Sequence, residues 1–353
     1  MYSPKEHKQT KFLYSQALQR SYSCLAYSAD GRYLAAGEGA FRQPEITVWE
    51  IEQTSGEYIE SKHLKGHKYG IESVMFSPNM LYLISLGDAN DRGLFVWDWR
   101  TEQRVTSNKL GKPVINFAFA QSSLFFVTAG YQHLKYWCFD EEGRIQKGPG
   151  AAAESIMESK SADLAKVKVK IFVGVQCVSN GGVSGKEEQV LALASDGHIY
   201  VYDKNRKLTK WMNIKVDRAL SCALGGQHLY CACTEGVVRI FNTRTLEHIL
   251  TLQKPPPLGQ ANVESGKKIR IPSSKDSRFA DALAVLVDER NNRVIVLYSD
   301  RMIFVWDVHA LDKISIYRTL YSHCGPIYDM QYVPNQMAIG FAEGAETLSE
   351  EEL

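Results

Sequence analysis

The sequence predicts an all-β fold, a propeller of about seven four-stranded blades of which the last is composite or incomplete. Three observations carry that prediction. A short apolar strand ending in an aromatic residue recurs six times: "EITVWE" (45–50), "LFVWDW" (94–99), "HLKYWC" (133–138), "HIYVYD" (198–203), "VVRIFN" (237–242) and "MIFVWD" (302–307). Its anchors Trp49, Trp97, Trp137, Tyr202, Phe241 and Trp306 are 48, 40, 65, 39 and 65 residues apart, a period near forty with two long insertions. The copy "GLFVWDWR" (93–100) is apolar on both faces, Leu94 and Val96 on one and Phe95 and Trp97 on the other. A half-exposed strand would alternate apolar with polar residues, whereas a continuous apolar run belongs to a strand covered on both sides. Radial stacking of small sheets supplies that cover.

Within a unit, the first two strands are joined by a tight polar turn, as in "CLAYSADGRYLAAGE" (24–38), "SVMFSPNMLYLISLG" (73–87) and "NFAFAQSSLFFVTAG" (116–130). Ala29-Asp30-Gly31 and Pro78-Asn79 carry the residue types that reverse a chain between antiparallel strands. A second short turn, "SDGH" (195–198), "TEGV" (234–237) or "SDRM" (299–302), precedes the third strand. Each unit therefore reads as a four-stranded antiparallel meander.

The insertions fall in connections. Residues 141–165 read as a mobile loop, with a short helix over 151–165 as the alternative, and "KVKVK" (166–170) reads as a strand with Val167 and Val169 inward. Residues 254–281 are rich in Pro, Ser and Lys and are expected to hold little order. Within them, Lys267, Lys268 and Arg270 of "GKKIRIPSSK" are candidate contacts for phosphate or an acidic surface, Ser273 and Ser274 are candidate modification sites, and a plain solvated loop is the alternative. The propeller is expected over residues 1–341, followed by an acidic disordered tail, 342–353. Its seventh blade is expected to combine "KFLYSQA" (11–17) with residues 326–341, since an open propeller would expose a sheet edge.

The 353 residues carry a formal net charge of +1, which argues against bulk affinity for nucleic acid or anionic membranes. No apolar run reaches the eighteen or so residues of a membrane span, and the start lacks a signal-peptide core, so an intracellular, soluble protein is expected. Seven cysteines are scattered through strand-like contexts, and the "CAC" at 231–233 lacks common zinc spacing, so buried free thiols in a reducing compartment are expected, with no metal and no cofactor.

One unit alone carries the full polar set of the WD repeat: His67 in "KGHKYG" (65–70), Ser85, Asp91 and Trp97-Asp98. His67 and Trp97 lie 30 residues apart, a distance that fits one blade. A buried indole N–H and a buried imidazole both need partners, and a carboxylate in a tight turn can orient the histidine. The same residue types could be read as a hydrolase triad, but no G-x-S-x-G elbow surrounds Ser85. No P-loop, dinucleotide fingerprint, H-E-x-x-H or calcium loop is present, and no enzyme is expected. Trp99 and Arg100, where the strand leaves the blade, are candidate partner contacts.

The strings "KGHKYGIESVMFSPNMLYLISLG", "LFVWDWRTEQRVTSNKL", "KLTKWMNIKV", "EGVVRIFNTRTLEHILTLQKP" and "MIFVWDV" resemble the amino-terminal propeller of the mitogen-activated protein kinase-binding WD-repeat scaffolds, a family that includes the microcephaly-associated spindle-pole protein. The resemblance runs from about residue 4 to residue 330. It implies a non-enzymatic scaffold for protein partners of the c-Jun N-terminal kinase pathway, associated with microtubules, spindle poles or centrosomes, cytoplasmic and with a nuclear pool as an option. Members of that family are much longer, so a fragment, a short isoform or an incomplete gene model lacking the kinase-docking region is expected. An alternative rests on Trp97-Asp98-x-Arg100, which matches the WDxR box of cullin-RING ubiquitin ligase substrate receptors.

Overall fold

The computed structural model describes residues 2–3, 8–9, 13 and 21–331, except for 40–41, 53–56, 141, 146–156, 165–166, 181–186, 259–277, 312 and 321–324. After a two-stranded hairpin of β1 (Tyr2–Ser3) and β2 (Lys8–Gln9), the described chain forms six four-stranded antiparallel sheets, each a meander in chain order. Blade 1 comprises β3 (Tyr22–Tyr27), β4 (Tyr33–Glu38), β5 (Glu45–Ile51) and β6 (Tyr58–Lys65). Blade 2 comprises β7 (Ile71–Phe76), β8 (Leu83–Gly87), β9 (Gly93–Asp98) and β10 (Gln103–Lys109). Blade 3 comprises β11 (Val114–Phe119), β12 (Phe125–Gly130), β13 (His133–Cys138) and β14 (Ser159–Ser161). Blade 4 comprises β15 (Phe172–Asn180), β16 (Glu187–Ala194), β17 (His198–Tyr202) and β18 (Leu208–Asn213). Blade 5 comprises β19 (Ala219–Gly225), β20 (His228–Cys233), β21 (Val238–Asn242) and β22 (His248–Thr251). Blade 6 comprises β23 (Ala282–Asp288), β24 (Arg293–Tyr298), β25 (Ile303–Asp307) and β26 (Ser315–Leu320).

The local chemistry repeats from blade to blade. In the first turn of blade 1, Ser28 Oγ accepts from Tyr33 N at 2.9 Å; in blade 2, Ser77 Oγ accepts from Tyr82 N at 2.9 Å and donates to Asn79 Oδ1 at 2.7 Å. The pairing of first and second strands shifts register near its start in every blade, at Tyr22/Cys24, Ile71/Ser73, Val114/Asn116, Phe172/Gly174, Ala219/Ser221 and Ala282/Ala284. An extra residue at the same place in each copy bends and twists the innermost strand, and a ring of sheets needs that twist repeated.

The core lies between blades. All six aromatic anchors fall in third strands and are at most 3% exposed. Phe95 and Trp97 pack against Cys24, Ala35, Ile46 and Val48 of blade 1, while Leu94 and Val96 pack against Phe117, Phe126 and Trp137 of blade 3. The same arrangement places Trp137 against blade 2, Tyr202 against blade 3, Phe241 against blade 4 and Trp306 against blade 5. Each anchor therefore seals the seam with the preceding blade. Trp49 of blade 1 is the exception, being covered by Leu13, Tyr22, Leu25, Tyr27 and Tyr58.

Several expectations are corrected. The described residues form six blades, not about seven: residues 326–331 run without a strand and meet blade 1 through the Asp329 carboxylate, which accepts from Leu25 N at 2.8 Å, instead of through a backbone ladder. The rest of the expected composite blade, 11–17 apart from Leu13 and 332–341, lies outside the described residues, as does the expected tail. The expected loop 141–165 holds β14, the outer strand of blade 3, and its described parts, 142–145 and 157–164, contain no helix. Its flanks pack closely, with Ile145 and Met157 buried in the seam of blades 2 and 3 and Asn108 hydrogen-bonded to both the N–H and the C=O of Met157. Residues 167–170 form no strand, although Val169 is buried and Lys168 and Lys170 are exposed. In the second insertion Leu258 N donates to Arg278 O at 2.9 Å, joining the two ends of a segment, 259–277, that lies outside the described residues.

Candidate functional site

Blade 2 concentrates the polar side chains of the core. His67, in the loop between β6 and β7, is 3% exposed, and Ser85 in the middle of β8 is fully buried. Ser85 Oγ accepts from Trp97 Nε1 at 2.8 Å and lies 2.7 Å from His67 Nε2, while His67 Nδ1 lies 2.8 Å from Asp91 Oδ2. The indole can only donate. The serine hydroxyl therefore donates a hydrogen bond to Nε2, and the imidazole donates from Nδ1 to the carboxylate, which satisfies every donor once. The ring also stacks on Phe95 at 4.3 Å, and Asp91 Oδ2 takes a further bond from Lys68 N at 2.9 Å. Burial alone would raise the Asp91 carboxyl, but hydrogen bonding and charge attraction from His67, together with the amides of Lys68 and Tyr69, hold it below the usual carboxylate range.

Local sequence explains the fit. A Cβ on Gly87 would lie 2.6 Å from Asp91 Cβ, and one on Gly66 would lie 2.9 Å from the edge of the Trp97 ring. Only glycine lets the turn and the loop close onto the strands. Chemically the arrangement is a tie, running from the blade core through Trp97 and Ser85 to the loop 65–70 and the turn 88–92. Ser85 Oγ lies where no substrate reaches it, which removes the hydrolase-triad reading of these residues.

A related chain occurs in blade 3, and the sequence pattern missed it. Thr128 Oγ1 accepts from Trp137 Nε1 at 2.9 Å and lies 2.8 Å from His133 Nε2. His133 opens β13 itself instead of sitting in the loop before the blade, so a search for Gly-His ahead of the first strand passes over it. The available signal was threonine and tryptophan nine residues apart, aligned with Ser85 and Trp97. Burial, aided by Lys135 and Lys112, pushes His133 down to about 4.

The candidate contact residues fare differently. Trp99 is 2% exposed, donates from Nε1 to Met80 O at 3.2 Å, and packs against Phe76 and against Tyr33 of blade 1. It closes a seam and is no contact surface, a correction that follows from the strand's apolar run continuing one residue past Asp98. Arg100 is exposed; its guanidinium bonds Met80 O and lies 4.4 Å over the Trp99 ring. Lys267, Lys268 and Arg270 lie outside the described residues. The described cysteines are free; burial raises the thiols of Cys24, Cys222 and Cys233 to about 12, so these three are inert core residues, whereas Cys138 is exposed, against the expectation of buried thiols. Among the described residues no group of His, Cys, Asp and Glu is placed to hold a metal ion, and no helix is long and apolar enough to cross a membrane.

Four-stranded blades, buried third-strand anchors and the Trp97–Ser85–His67–Asp91 chain together define a WD-repeat β-propeller. The family described as "WD domain, G-beta repeat" matches residues 59–98, the span that holds the chain. Among curated proteins, this chain is similar to Mitogen-activated protein kinase-binding protein 1 of Mus musculus, 29% identical over 337 residues, covering 95% of this chain and 21% of that protein. It is similar to WD repeat-containing protein 62 of Sus scrofa, 30% identical over 334 residues, covering 94% of this chain and 21% of that protein. A shorter likeness, 34% over 133 residues, covers 35% of this chain and 22% of Cilia- and flagella-associated protein 52 of Macaca fascicularis. The chain thus spans about a fifth of the length of the relatives it matches. Of solved structures, the Cps50 (Swd1) β-propeller domain of Myceliophteria thermophila superposes with a TM-score of 0.59 at 16% identity, covering 86% of this chain and 87% of that one, a likeness of fold.

Proposed function

We propose that the chain is a non-enzymatic platform that binds other proteins, and that its partners include a mitogen-activated protein kinase of the c-Jun N-terminal class. The observation that carries this reading is the likeness over 95% of the chain to a relative whose name describes kinase binding. The polar side chains of blade 2 support it, because they are consumed in mutual hydrogen bonds and hold loops in place. Association with microtubules, spindle poles or centrosomes belongs to the same reading and rests on the resemblance to the scaffold family. A fold alone does not decide function, since propellers carry many unrelated activities. The ligase-receptor alternative rests on Arg100, which is exposed just past β9 with one guanidinium nitrogen on Met80 O and its plane over Trp99.

Proximity labelling in cells, with the labelling enzyme fused to this chain, tests the proposal. Enrichment of mitogen-activated kinases and of microtubule or centrosomal proteins over a fused unrelated propeller is expected. A labelled set indistinguishable from that of the unrelated propeller would sink the platform reading. A set dominated by a cullin adaptor, lost on Arg100→Ala, would replace it with the ligase reading.

A further inference from the structure

Two hollows flank the turn 88–92 of blade 2, on the face where the loop 65–70 also emerges. The first, of about 410 Å³, is lined by Tyr69, Ala89, Asn90, Arg92 and Lys109. The second, of about 210 Å³, lies toward blade 3 and shares Ala89 and Arg92; its apolar wall is Leu110, Pro113, Val114, Ile115 and Tyr131, its acidic wall is Glu72 and Asp88, and Lys112, whose Nζ donates to Gln132 Oε1 at 3.0 Å, also lines it. The two differ in charge. The first presents a guanidinium, an ammonium, a carboxamide and a phenol, with no carboxylate in its lining. The second sets two carboxylates and the Lys112 ammonium beside apolar surface, and desolvation and then the neighbouring Asp88 raise the Glu72 carboxyl.

The walls are held before any ligand arrives. Asp91 fixes the Tyr69 loop through His67 and through Lys68 N. Asp88 Oδ1 accepts from Asn90 N and from Asp91 N, both at 2.9 Å, and Leu110 N donates to Arg92 O at 2.9 Å. Arg92 Nε donates to Ala89 O at 2.9 Å, a bond that sets the guanidinium between the hollows without using its terminal nitrogens. Tyr69 and Tyr131 are 48% and 46% exposed, large aromatic surfaces on either side. The backbone of the loop and of the turn is thus held in the free protein, which lowers the cost of binding.

We propose that the two hollows form one docking site for a phosphorylated peptide segment of a partner protein. The phosphate sits among Arg92, Lys109, Asn90 and Tyr69, and an apolar side chain of a neighbouring residue rests on Ile115 and Tyr131. A dianionic phosphate offers three acceptor oxygens and uses this set of donors more fully than a carboxylate does. A nucleic-acid backbone fits poorly, because its next phosphates would meet Glu72 and Asp88, and the chain as a whole carries a net charge of only +1. The proposal rests on the platform reading and gives it an address.

The test overlays the purified chain on an array of short peptides carrying phosphoserine beside leucine with varied flanks, printed together with serine and glutamate versions. Binding to phosphoserine peptides is expected, with serine versions blank and glutamate versions weak. Joint replacement R92A and K109A should lower binding by about tenfold or more, and Tyr131→Ala should weaken peptides that carry the leucine more than those that lack it. The replaced side chains are exposed, so an unchanged melting temperature shows that the variants fold. Equal signals for serine and phosphoserine, no signal on any peptide, or binding unaffected by R92A with K109A would overturn the site. So would a single-stranded oligonucleotide that competes fully for it. Proximity labelling separates the two claims: kinases labelled equally by wild type and the double variant would leave the platform standing without this site.

Discussion

Trp97 is where one side chain decides most. Its ring fills the seam of blades 1 and 2, and its N–H begins the chain that ends at Asp91. Trp97→Ala should cost about 3–5 kcal/mol of unfolding free energy, as large buried aromatics do, read from urea denaturation. Ser85→Ala keeps the volume nearly intact but strands the buried indole N–H and His67 Nε2, a loss of roughly 1–3 kcal/mol. A loss below a few tenths for Ser85→Ala would mean that the tie contributes little. In blade 3, His133 is held neutral, with its folded value of about 4 below the unfolded reference of 6.5. On acidification the unfolded state takes up that proton first, so stability is fully present above pH 6.5 and is lost as the pH falls toward 4. The loss from this residue is on the order of 3 kcal/mol. Asp91, lowered by its partners, acts in the same direction at still lower pH. Denaturation of wild type and His133→Gln at neutral pH and near pH 4 checks this, the variant being expected to lose less on acidification.

At the scale of strands and turns, legibility followed burial. The third strands could be read because the anchors Trp49, Trp97, Trp137, Tyr202, Phe241 and Trp306 are buried and, in blades 1 to 5, both faces of the strand are covered, which leaves a continuous apolar signature. The outer strand β14, Ser159-Lys160-Ser161, leaves no such trace, since an edge strand of polar residues looks like a loop. Tyr69, Arg92 and Lys109 come from the loop 65–70, the turn 88–92 and the end of β10, and no spacing rule links them. Trp99 was misplaced because an aromatic residue after the strand's aspartate resembles a surface residue until the neighbouring blade is present. The turn 88–92 depends on Gly87: Gly87→Ala would push Asp91 away from His67. It should lower the melting temperature and speed amide exchange at Lys68 and Tyr69, with unchanged exchange counting against the tie. The segment that meets blade 1 yields a further expectation. Asp329→Ala removes the partner of Leu25 N and should cost about 1–3 kcal/mol; deletion of residues 1–18, which takes Leu13 from the Trp49 cluster, should lower the melting temperature sharply.

As a whole molecule, the chain invests its apolar residues in seams between blades and its buried polar residues in ties that hold loops. That division of labour suits an object that presents loops to partners. The most direct measurement is calorimetric titration of the purified chain with a purified c-Jun N-terminal kinase, run alongside an unrelated kinase. Saturable binding of the first, weaker binding of the second, and retention of the complex when Trp97 is replaced by phenylalanine at a temperature where that variant stays folded are predicted. Absence of heat and of co-elution with any mitogen-activated protein kinase, up to concentrations of about 100 μM where affinities would be too weak for a scaffold, would contradict the account.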